Sequence, residues 1–162
     1  MHQPLDYTNL DDTMNEPDYQ DPAVNERWCQ ERHAQVLDYL QTQKIAHGRV
    51  GEWPAWHMAP YVSIWAIESA ARPDWVGSWV VCGDLPTDTI SADQYEHPRD
   101  ALRAIATRWL EVAAYMRRGE PHPTIRIGPS YPPEELMPIL ERRGAILLKW
   151  ANDEACWGPE YD

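Results

Sequence analysis

The residues best suited to chemistry are two carboxylates and an imidazole. Asp84 and Asp88 stand in the run Gly83-Asp84-Leu85-Pro86-Thr87-Asp88, and His57 lies between Trp56 and Met58. Carboxylates held at the end of a buried strand could take a divalent metal, an acid–base role or a cationic ligand. A neighbouring histidine could add a base. The same run also reads as a stiff turn. Gly83 can take angles that other residues avoid, Leu85 must stay extended before Pro86, and Asp84, Thr87 and Asp88 can accept from nearby backbone N–H groups.

These groups meet only if the middle of the chain doubles back. Trp56 to Ser69 reads as one strand and Val76 to Gly83 as a second, both apolar on both faces. A loop centred on Arg72 joins them as an antiparallel hairpin in which paired numbers sum to about 144. That register puts Pro60 opposite Asp84 and His57 opposite Thr87, so His57, Asp84 and Asp88 share an end. Glu68 falls opposite Val76, about 26 Å away at roughly 3.3 Å per residue. It is expected to reach water or an arginine such as Arg72.

Five of the nine tryptophans fall between Trp53 and Trp79, and there is no phenylalanine. Indoles must therefore do much of the packing, each with an N–H that needs a partner when buried. Most are expected in the core. Trp53 and Trp56 flank Pro54-Ala55 and are the expected exceptions, beside His57. Cys29 and His33 share a helix face at i, i+4, but nothing near them in sequence completes a zinc set.

The flanking elements are helical. Asp21-Pro22 caps and opens a helix to about Lys44, with Trp28, Val36 and Leu40 near one stripe. His97-Pro98-Arg99-Asp100 opens the strongest helix, with Leu102, Ile105, Ala106, Trp109, Ala113 and Met116 on one side and Gly119 as its stop. Thr124 to Ile127 reads as a short strand. Pro132-Pro133 opens another helix, Arg142-Arg143-Gly144 reads as its end, and residues 145–157 as a separate final helix. The expected fold is α+β: a small antiparallel sheet built on the Trp-rich hairpin, covered by three or four helices. Residues 1–20 read as an acidic disordered leader and 21–162 as one domain.

The net charge is −12. Residues 1–26 hold seven acids and no Lys or Arg, leaving 19 acids against 14 bases in the rest. Such a chain is a poor candidate for nucleic acid or an anionic membrane and a better one for a basic protein partner. The odd count of three cysteines fits a reducing compartment, and no secretory or membrane-spanning segment is evident, so a cytoplasmic location is expected. No phosphate loop, dinucleotide fingerprint, nucleophile elbow or H-E-x-x-H motif occurs, and no cofactor or metal is called for.

The runs Trp65-Ala66-Ile67-Glu68-Ser69, Gly83-Asp84-Leu85-Pro86-Thr87-Asp88 and His97-Pro98-Arg99-Asp100-Ala101 resemble a family of short bacterial proteins, domain of unknown function 4826, over roughly residues 27–157. The resemblance implies a bacterial source and brings no established activity, cofactor or catalytic residue. The residues favour a non-catalytic binding or interaction module. Its surface would run from Trp53, Trp56 and His57 across Asp84, Thr87 and Asp88 to Arg99. The alternative is a small hydrolase using His57, Asp84 and Asp88, with or without a divalent metal.

Overall fold

The computed structural model describes residues 17–127 and 131–159; most of the expected leader therefore lies outside the described residues. Among the described residues the architecture is α+β, a four-stranded antiparallel sheet with three helices. Helix α1 spans Pro22–Thr42 and α2 spans Pro98–Arg117. Both start as their sequences require. Asp21 accepts the Ala23 N–H, and the His97 ring accepts the Arg99 N–H. Helix α3 spans Pro133–Asn152, followed by a short 3-10 turn over Glu154–Cys156.

The strands are β1 (Trp56–Met58), β2 (Val62–Glu68), β3 (Val76–Gly83) and β4 (Leu85–Ser91), in the spatial order β1-β2-β3-β4. The expected β2–β3 hairpin is present, with Glu68 opposite Val76. A bulge between Ile67 and Glu68 then moves the register by one, so Val62 meets Gly83. The expected long first strand is two. Pro60, which has no N–H to give a ladder, lies in the turn where Tyr61 donates to the Met58 carbonyl.

The acidic run is not a loop either. At Gly83 the backbone takes φ +144°, and an added Cβ would lie 2.9 Å from the Tyr61 carbonyl carbon. Only glycine fits there. The chain reverses at once, and residues 85–91 become the outer strand β4. Pro86 is tolerated because an edge strand leaves one row of N–H groups unpaired.

Strand alternation divides the packing between two faces. Trp65, Ile67, Val80 and Cys82 meet Val36 and Leu40 of α1. Val62, Ile64, Trp79, Val81 and Ile90 meet α2 and α3 across a larger core that holds Trp109 and Leu102. Full burial of each such side chain contributes about 1.5–3 kcal/mol.

Two helical expectations need correction. Arg142-Arg143-Gly144 does not end a helix, because α3 continues through it. A Cβ on Gly144 would lie 3.1 Å from Leu110 and 3.3 Å from the Ala106 carbonyl, so the missing side chain lets α3 lie close against α2. Residues 124–127 form no strand, since the loop is organised instead by His122. Its ring accepts the N–H groups of Thr124 and Ile125 and contacts Glu111 at 3.0 Å. Among the described residues, no helix is long and apolar enough to cross a membrane.

Candidate functional site

The expected trio does not assemble. His57 is on β1 and pairs with Ser63, whereas Asp88 is on β4 and pairs with Val81. Strands β1 and β4 are the two outer strands, three inter-strand spacings or about 14 Å apart. The physical reason is the reversal at Gly83. Residues after it fold back along β3 instead of continuing past the start of β2.

Each expected site residue then has its own surroundings. His57 packs against α1, where its Nε2 meets the Asn25 side-chain oxygen at 2.8 Å, its ring stacks on Trp28, and Trp53 contacts it edge-on. Burial lowers its pKa, so the imidazole is neutral at pH 7 and Nε2–H donates to Asn25. Trp53 is exposed, as expected. Trp56 is not. It is 2% exposed, stacks on Trp157 at 4.5 Å and donates its N–H to the Cys156 carbonyl.

Asp84 lies in the β3–β4 turn, where Arg143 bonds its carboxylate at 3.0 Å and its carbonyl at 2.8 Å. Thr87 faces α1 and accepts from the Gln35 amide. Asp88 faces the opposite way, buried, and accepts from the Trp109 indole at 2.9 Å and the Thr89 N–H at 2.9 Å. Burial pushes its carboxyl above the ordinary range, and the two hydrogen bonds and Arg108 only partly offset this. Arg99 donates to the Ala151 carbonyl, tying α2 to the end of α3. The seven expected binding residues therefore do not form one surface. Cys29 is buried on Asn25, and His33 lies edge-on to Trp65. Among the described residues no group of three His, Cys, Asp or Glu side chains could hold a metal ion.

A different place gathers exposed apolar groups. Leu37 of α1, Trp75 and Val76 are 43%, 60% and 41% exposed. All three line one open groove of about 580 Å3 at the β2–β3 turn. Its charged side is built around Glu68. The carboxylate accepts the backbone N–H groups of Arg49 and Asp74 at 2.8 and 2.9 Å and the Arg49 guanidinium at 2.8 and 3.2 Å. Arg49, not Arg72, is its arginine. The Arg49 side chain, then these two N–H groups, hold the Glu68 carboxyl at about 2. Arg49 also pairs with Asp74 at 2.7 Å, while Arg72 stacks 4.1 Å over the Trp75 ring.

Sequence reasoning missed Trp75 because an indole next to an apolar strand defaults to the core. The available signal was its position directly after Pro73-Asp74, still inside the turn. Asp74 there has φ +71°, and Trp75 donates its backbone N–H to the Arg72 carbonyl. The side chain is thus placed before the ladder begins.

No curated protein and no solved structure matches the chain. A family model, domain of unknown function (DUF4826), matches residues 22–157, which span α1 to α3 and β1 to β4. The chain belongs to the family of domain of unknown function 4826.

Proposed function

We propose that the chain is a non-catalytic protein-interaction module whose partner docks at the β2–β3 end of the sheet. The observation that carries this reading is the grouping of Leu37, Trp75 and Val76, three exposed apolar side chains lining one groove. Exposed apolar clusters of this kind, rimmed by charge, are typical of protein-binding surfaces. A tryptophan at the centre is the side chain most often found to dominate binding energy.

The partner is a basic protein segment. Glu52, Glu68 and Asp74 border the groove against the Arg49 guanidinium, and with Arg72 over the Trp75 ring the balance is still one carboxylate in excess. The whole chain carries −12, which speeds encounter with a positively charged surface. The proposed setting is the cytoplasm of a bacterium, where the three free cysteines stay reduced. The hydrolase alternative rested on His57, Asp84 and Asp88 standing together. His57 and Asp88 stand on opposite outer strands and the Asp84 carboxylate is held by Arg143, so this geometry does not favour it.

A synthetic peptide of alternating lysine and leucine tests the reading against its glutamate–leucine counterpart. The lysine peptide should bind, and Trp75→Ser should weaken it by about tenfold. Tyr61→Ser, which removes an exposed aromatic at the other end of the sheet, should leave it unchanged. Equal binding of both peptides, or equal loss in both variants, would overturn the proposal.

A further inference from the structure

The other end of the sheet carries a second groove, which shares no residue with the first. Tyr61 sits in the β1–β2 turn, and Asp84 in the β3–β4 turn. The Asp84 N–H donates to the Tyr61 carbonyl at 2.9 Å, which brings the two turns together. Across from them, Arg142, Arg143, Ile146 and Trp150 project from α3, and a groove of about 460 Å3 lies between. Positions 143, 146 and 150 recur at three and four, so one helical face supplies the wall. The rings of Tyr61 and Trp150 are 6.0 Å apart and tilted by 45°. Leu147, fully buried, forms part of the floor.

The charges here are unequal. Arg143 is fixed by Asp84 through its two hydrogen bonds, so that pair is internally matched. Arg142 makes no hydrogen bond or ion pair among the described residues. Two guanidiniums against one carboxylate leave one unmatched positive charge, on a chain whose total is −12. Asp84 is therefore not available to a cationic ligand, and the groove favours an anion locally where most of the surface repels one.

We infer that this groove binds a small aromatic carboxylate. The Arg142 guanidinium presents a planar fork that matches a carboxylate in geometry and charge. Tyr61 and Trp150 offer tilted aromatic faces to a flat ring, with Ile146 beneath it. The volume lies within the about 300–1,000 Å3 of small-molecule sites. One unmatched charge suits a monoanion. A dianion such as a phosphate ester would keep an unpaired charge and meet the repulsion of the whole chain.

Calorimetric titration of the full chain with 3-phenylpropionate, 3-phenylpropylamine and propionate tests the assignment. The aromatic acid should bind, the amine should not, and propionate should bind at least about tenfold more weakly for want of a ring. Arg142→Gln should weaken 3-phenylpropionate by about tenfold or more while leaving the melting temperature unchanged, because Arg142 holds nothing in place. Trp75→Ser should leave this binding intact, so failure here is separable from failure of the docking surface. No binding of 3-phenylpropionate, binding undiminished in Arg142→Gln, or equal binding of the amine would each overturn the inference.

Discussion

Trp109 of α2 donates its indole N–H to Asp88 of β4 across 2.9 Å, with both side chains buried. The bond joins the helical layer to the outer strand by a carboxyl oxygen inside the core. The other Asp88 oxygen accepts the Thr89 N–H. Both oxygens therefore serve as acceptors, and the Trp109 indole is a fully buried donor that needs one.

Asp88→Asn should destabilise the protein by about 1–3 kcal/mol at neutral pH, because the new amide NH2 must face one of those two donors. Urea denaturation at pH 7 reads this. The pH dependence has a definite sign. The folded carboxyl is raised, so the folded state holds the proton more tightly than the unfolded state does. Stability from this group falls as pH rises from the ordinary carboxylate range to the raised value. Asp88→Asn should lack that fall. An unchanged or increased stability at neutral pH would contradict this account of Asp88.

Glu68 should behave in the opposite way. Its folded carboxyl is held down at about 2, first by the Arg49 side chain and then by the N–H groups of Arg49 and Asp74. Its contribution is present above the ordinary glutamate value of about 4.3 and is lost as pH falls from there toward about 2. Melting temperatures followed through this window should decline less steeply for Glu68→Gln than for the native chain. Identical slopes would show that the Glu68 contacts do not persist in solution.

Gly144 should tolerate no bulk. Its α-carbon faces Leu110 and the Ala106 carbonyl where α3 lies against α2. Gly144→Leu should cost about 1–3 kcal/mol through overpacking, despite the better helix propensity of leucine. Thermal unfolding measures it, and a stabilised variant would mean that the helices are not in close contact there.

Several elements could be read directly. The start of α1 at Asp21-Pro22, the span of α2 and the β2–β3 hairpin follow from caps and apolar spacing that act over a few residues. The failures share a cause. Gly83 to Asp88 looks like a loop because the run holds Gly83, Pro86 and two acids, and only the distant Trp109 makes a buried Asp88 acceptable. Gly144 looks like a stop because glycine ends many helices, and only the distant Leu110 reveals its packing role. Glu68 was placed correctly opposite Val76, but its arginine arrives from residue 49 along the edge of β2, where Glu68 donates its N–H to the Arg49 carbonyl. Of the expected site, Trp53 and His57 are neighbours, and Asp84 borders a groove of its own. Bringing them together required knowing which way the chain turns after Gly83, which depends on a backbone approach to Tyr61 that local sequence does not encode.

The central claim is that Trp75 touches a partner. Placing a photo-reactive benzoylphenylalanine at position 75 in the native host, with the same group at exposed Thr107 on α2 as the control, tests it directly. The account predicts a cross-linked product at position 75 that is absent at 107, diminishes as salt is raised from about 0.05 to about 0.5 M, and contains a basic protein on mass analysis. The same products from both positions, or none from position 75, would contradict it.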